Sequence, residues 1–151
     1  MTKDALLQPT AAPEPLIWSR SFAWGMLSVH DPAADFVPPP NAGKKVAASA
    51  SVLTIPVLHQ QDRATPDGWP DDLPLPWARV DVYVSFVPSP PGSEVQFECQ
   101  LACPSGHLLV GDADEQRDIS ITPGTARVQV GLVPDLFADV VILRVLPQRS
   151  Q

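Results

Sequence analysis

The stretch that decides the fold is Arg79–Ala102, RVDVYVSFVPSPPGSEVQFECQLA. On its first arm Val80, Val82, Val84 and Phe86 alternate with Arg79, Asp81, Tyr83 and Ser85. On its second arm Val95, Phe97, Cys99 and Leu101 alternate with Glu94, Gln96, Glu98 and Gln100. Side chains leave a strand to opposite faces in turn, so each arm has one apolar and one polar face. Pro88–Ser93 (PSPPGS) between them cannot supply ladder donors and must be a connection, which predicts a hairpin of two strands.

The pattern continues outward. In LIWSRSFAWGMLSVH (16–30), Trp18, Phe22, Trp24 and Met26 share a parity with Arg20 as the exception. This predicts one long or bent strand, with Gly25 at a bulge or a close backbone approach. Val46–His59 reads as a second apolar strand, and Pro56 argues for a sheet edge. Short strands follow at His107–Val110, Arg117–Thr122 and Thr125–Val133. The near-continuous apolar run Val140–Leu146 predicts a central or doubly covered strand. About eight strands separated by turn signals predict an all-β fold, an antiparallel two-layer sandwich of jelly-roll-like form with Pro-rich loops. Residues 1–15 read as a loosely ordered N-terminal tail and 16–147 as a single domain.

Composition agrees. Proline numbers 19 of 151 residues, against about 5% in an average chain, which excludes long helices. A net charge of −7 disfavours direct binding of nucleic acid and of anionic membranes, and favours a basic partner. No apolar run approaches the length that spans a bilayer, and residues 1–16 carry no secretory h-region, so the expected location is the cytoplasm. Cys99 and Cys103 are then expected as thiols.

Several constellations invite chemistry. Cys99, Cys103 and His107 have C-x3-C-x3-H spacing, but they offer three ligands where structural zinc takes four, so no metal is assigned. Gly111–Glu115 (GDADE) begins like a calcium loop and lacks the later oxygen ligands and the glycine, which leaves a solvated turn. Ser28 with His30 and Asp31, and Ser105 with His107, match no nucleophile motif. No phosphate-binding glycine loop is present, and no cofactor is expected.

Acidic residues are concentrated instead. Residues 62–81 hold five acids against two arginines, and 94–118 hold six against one. Asp67, Asp71, Asp72, Asp112, Asp114 and Glu115, with Trp69 and Trp77 at the margin, form a candidate partner-binding face. Such a face suits a basic, nucleic-acid-binding cleft on another protein.

From Val95 onward the order of segments resembles small bacterial β-sandwich proteins of the competence nuclease-inhibitor (ComJ) type. The shared pattern here is Ile119–Ile121, Pro123-Gly124, Val128–Pro134, Asp139 and Val140–Leu146, with the aromatic strand Trp18–Ser28 in a compatible place. The loop Gln60–Trp77 lies outside that pattern, and no binding residue carries over position by position. The resemblance implies a non-enzymatic inhibitor or immunity-type protein that blocks a nuclease or toxin. The alternatives from other classes are an assembly subunit forming homo-oligomers through sandwich edges, and a small hydrolase using His30, His59 or His107.

Overall fold

A computed structural model describes residues 14–22, 24–35, 37–42, 44–58, 67, 68, 70, 72, 79–87, 95–134 and 138–147. The tail 1–13 and the loop residues 88–94 lie outside them. The described residues form ten strands and no helix: β1 (Leu16–Ser21), β2 (Met26–His30), β3 (Ala47–Ala48), β4 (Val52–Pro56), β5 (Arg79–Ser85), β6 (Phe97–Cys103), β7 (His107–Gly111), β8 (Gln116–Ser120), β9 (Gly124–Val133) and β10 (Val140–Pro147). They make two five-stranded sheets, ordered β1-β5-β10-β9-β6 and β3-β4-β2-β7-β8. The two-layer all-β sandwich expected from the sequence is present, with ten strands rather than eight.

Alternation sets each strand's inner face. Val80, Val82 and Val84 of β5, Val141, Leu143 and Val145 of β10, and Val128 and Val130 of β9 are buried from one sheet. Leu27 and Val29 of β2, Leu53 and Ile55 of β4, and Leu108 and Val110 of β7 meet them from the other. Burying each such side chain contributes roughly 1.5–3 kcal/mol. The run Val140–Leu146 is indeed central: β10 pairs antiparallel with β9 and parallel with β5. Among the described residues that pair and an isolated bridge between Val57 and Ala138 run parallel, and the other strand pairs are antiparallel.

Three sequence expectations are corrected. The Arg79–Ala102 segment is not a hairpin, because β10 and β9 lie between β5 and β6. Each arm carries its own apolar face, and that face specifies burial without specifying a neighbour. Residues 16–30 are not one strand. Gly25 takes a positive φ of 64°, its N–H donates to the Phe22 carbonyl, and the chain crosses there from one sheet to the other. β4 is not an edge strand either, since the two-residue β3 pairs with Leu53 and Thr54. Val57 N–H donates toward β2, to the Gly25 carbonyl. By alternation the nitrogen of Pro56 faces the other way, beyond the end of β3, where no ladder bond is lost.

Distinct contacts close the two long edges of the sandwich. At one edge the Ala102 N–H of β6 donates to the Ala50 carbonyl, in the β3–β4 turn, at 2.8 Å. At the other edge Arg117 of β8 lies over the Trp18 ring of β1, 5.5 Å from its centroid, and Arg20 of β1 reaches the β7–β8 turn. Each margin is thereby tied across the two sheets at named points.

Substituting Leu143→Ala in the central strand should lower unfolding free energy by roughly 2–5 kcal/mol. Ile17→Ala, at an exposed position of β1, should change it by less than about 0.5 kcal/mol. Urea denaturation followed by circular dichroism measures both, and equal losses would contradict the assigned inner faces.

Candidate functional site

The β7–β8 turn, Asp112–Glu115, is built around one carboxylate. Gly111 has φ 156°, and a Cβ there would run into the Glu115 carbonyl, so the turn requires glycine. Asp112 N–H donates to the Glu115 carbonyl at 3.0 Å. Asp112 Oδ1 accepts the N–H groups of Asp114 at 3.0 Å and Glu115 at 3.1 Å. It also accepts Arg20 Nη1 at 2.7 Å. Arg20 Nη1 further donates to the Glu115 carbonyl at 3.2 Å, and its guanidinium lies 4.7 Å from the centre of the Phe22 ring. The Asp112 side chain is 3% exposed and that of Arg20 15%. The ion pair therefore joins the two sheets in a largely dry setting, where loss of one partner is costly. Asp112 Oδ2 is buried with no hydrogen-bond partner among the described residues, a deficit worth about 1–3 kcal/mol.

The acidic residues named from the sequence differ in where they lie. Asp114 and Glu115 are exposed, and Glu115 is shared between Arg117 at 3.5 Å and Arg20 at 3.9 Å. Asp112, predicted as a presented carboxylate, is instead the inward-facing anchor of the turn. Asp67 and Asp72 are exposed; Trp69, Asp71 and Trp77 lie outside the described residues. The acid-rich segment 94–118 is divided between sheets. Glu98 stands on the outer face of β6, where Arg127 and Gln129 donate to it at 3.1 Å and 2.9 Å and hold its carboxyl below the usual range. Asp118 of β8 lies 3.0 Å from His107 Nδ1.

Beside the turn is a cavity of about 370 Å³ lined by Trp24, Met26, Ser28, His30, Asp112, Ala113 and Gln116. Leu27 and Val29 of β2 face the core, so alternation puts Met26, Ser28 and His30 together on the outer face. Ser28 Oγ donates to the Gly111 carbonyl at 3.2 Å. His30 Nδ1 lies 3.0 Å from the Asp31 carbonyl. A carbonyl only accepts, so Nδ1 carries a proton in this contact. Sequence reasoning did not assemble this cavity. The alternation of Met26, Ser28 and His30 was a usable signal, and Gln116 offered none.

The nucleophile candidates are engaged otherwise. Asp31 is buried; its Oδ2 accepts Ser105 Oγ at 2.7 Å and Ser105 N at 3.0 Å, and its Oδ1 accepts Ala33 N at 2.7 Å. The Ser105 hydroxyl thus serves Asp31. His107 turns outward to Asp118, and His59 lies outside the described residues. Cys103 is buried, and its thiol donates to the His107 carbonyl at 3.2 Å. Burial, followed by the nearby charge of Asp31, pushes that thiol up. Burial beside Glu98 pushes Cys99 to about 11. Cys99, Cys103 and the His107 ring do not form a ligand cluster.

No protein-family model and no curated protein sequence matches the chain. Two solved structures share its architecture. One is the crystal structure of ComJ, inhibitor of the DNA degrading activity of NucA, from Bacillus subtilis. It aligns with a TM-score of 0.55 at 9% identity, over 91% of this chain and 98% of ComJ. The other is the protein of crocagin biosynthetic gene J, with a TM-score of 0.51 at 13% identity, over 89% of this chain and 96% of that one. The likeness to ComJ is therefore one of structure across nearly the whole chain, and at these identities it is a likeness of fold.

Two predictions follow from the buried carboxylates. Asp112→Ala strands Arg20 and should cost roughly 3 kcal/mol or more, whereas Asp114→Ala should stay within about 0.5 kcal/mol. Urea melts of the two variants would decide, and equal small losses would deny the strut its role. For Asp31, burial pushes the pKa up, but the Ser105 and Ala33 hydrogen bonds outweigh it and leave the carboxyl below its ordinary value of 3.8. A depressed folded-state pKa contributes stability that is present above that ordinary value and lost as pH falls through the folded one. Urea midpoints measured downward from pH 5 should therefore fall less steeply in Asp31→Asn than in the parent, and parallel profiles would refute this linkage.

Proposed function

We propose that this chain is a cytoplasmic, non-enzymatic binding protein that inhibits a basic, nuclease-like enzyme through an acidic face. The observation that carries the reading is the near full-length structural match to ComJ, an inhibitor of a DNA-degrading activity. The exposed carboxylates of Asp114 and Glu115 on a braced turn, and those of Asp67 and Asp72, support it. Presented carboxylates suit the cationic residues that a nuclease aims at phosphate, and complementarity of this kind speeds association and selects the partner. In this reading Trp69 and Trp77 anchor the contact by burial, as aromatic hot spots do.

A second reading, as an assembly subunit, is favoured by an apolar row on the outer face of the β1-β5-β10 sheet. There Ile17 pairs with Tyr83 and Tyr83 with Ile142, and Ile17 is 64% exposed.

One experiment separates the two. The purified protein is titrated into the DNA-degrading activity of a native-cell extract and used as bait in that extract at low and high salt. The inhibitor reading expects loss of nuclease activity and capture of one basic enzyme. Both effects should weaken as salt shortens the Debye length, and both should vanish when Asp67, Asp72, Asp114 and Glu115 are replaced by their amides. Undiminished nuclease activity, with the bait alone recovered as an oligomer that Ile17→Glu dissociates, would overturn it.

A further inference from the structure

The cavity beside the β7–β8 turn has walls and a polar end of different character. Met26, Ala113 and Trp24 supply apolar surface, and the Trp24 side chain is unusually open for its size, at 67% exposure. Asp112 lines the same cavity. One of its oxygens is taken by three donors, while Oδ2 is buried and lacks a partner among the described residues. A cavity of about 370 Å³ falls in the range of small-molecule sites, where a few polar groups orient a ligand against apolar walls. The charge nearby is negative: Asp112, Asp114, Glu115 and Asp118 stand against Arg20 and Arg117.

From this geometry we propose that the cavity binds a cationic head on an apolar stem, an alkylguanidinium or alkylammonium. The head donates to Asp112 Oδ2, which a small shift of the covering side chains brings into reach, and to polar groups at the same end. The stem lies along Met26, and Trp24 closes over the cation, an arrangement that favours positive charge through the ring's π face. The proposal goes beyond the inhibitor reading and holds without a protein partner. The cation can belong to a free small molecule or to an arginine or lysine side chain of a macromolecule.

Butylguanidinium is the probe and butylurea its neutral counterpart of similar shape, each titrated into the full chain and followed by calorimetry and by chemical shifts of residues at the cavity. Saturable binding is expected, with butylguanidinium about ten-fold or more tighter than butylurea, as a charge-assisted hydrogen bond requires. Ala113→Phe, at an exposed position on the cavity wall, should abolish binding without disturbing the core. Asp112→Asn should erase the preference for the cation, with its fold checked by circular dichroism. Equal affinity for the two probes in the parent, or unchanged binding by Ala113→Phe, would overturn the site. An end-capped Gly-Gly-Arg-Gly-Gly peptide distinguishes the sources: affinity within a few-fold of butylguanidinium assigns a macromolecule's side chain, and exclusion of the peptide assigns a free ligand. These titrations need no extract, so their failure is separate from failure of the inhibitor reading.

Discussion

Two sheets that share only an apolar interface are free at their margins to splay. In this sandwich the margin between β1 and β8 is closed by the guanidinium of Arg20 reaching from one sheet into the β7–β8 turn of the other. The bond is short, both groups are largely buried, and the same carboxylate oxygen also takes two backbone N–H groups of its own turn. Asp112 therefore fixes two things at once, the spacing of the sheets and the shape of the turn. Arg117 over Trp18 adds a second brace at that margin, while the opposite margin relies on a main-chain bond from Ala102 to Ala50. A buried ion pair is weak evidence for stability in itself; what it adds here is a defined geometry at the edge where the candidate site lies.

How much of this was legible in the sequence depends on range. Alternation identified most strands, the inward valines of β5, and the central place of β10, because period-two burial is a local property. Neighbour relations were not local. The arms of Arg79–Ala102 carry the signal of two half-buried strands, yet two further strands from late in the chain separate them, and no residue within the segment encodes that. Gly25 stands out in the sequence as a special position, but a glycine that kinks a strand and one that sends the chain to another sheet look alike in one dimension. Arg20 is the instructive case: a charge on the apolar parity of β1 stands out as an exception, and its partner lies 92 residues away in an aspartate whose acidic neighbours suggest a surface group.

The same logic applies to the polar clusters. Serines, histidines and acids close together in sequence suggest catalytic arrangements, but in a β-protein adjacent residues point to opposite faces. Ser105 and His107 share a parity and still diverge, the hydroxyl to Asp31 and the ring to Asp118. The cavity draws its walls from β2, from the turn before it and from the β7–β8 hairpin, three places whose meeting follows from sheet order alone.

An acidic loop gains directional character only when its backbone is held. Here Gly111 admits the tight path, Asp112 turns inward to bond Arg20 and the two following N–H groups, and that inward turn leaves Asp114 and Glu115 facing out. The acid that is buried is thus the reason the other two are presented in a fixed register. A partner meeting them would lose less conformational entropy than it would on a free loop, since the ordering of the turn has already been met by folding. By this argument the strut, the exposed carboxylates and the cavity are one construction: the residue that locks the turn also lines the cavity, and its second oxygen has no donor among the described residues.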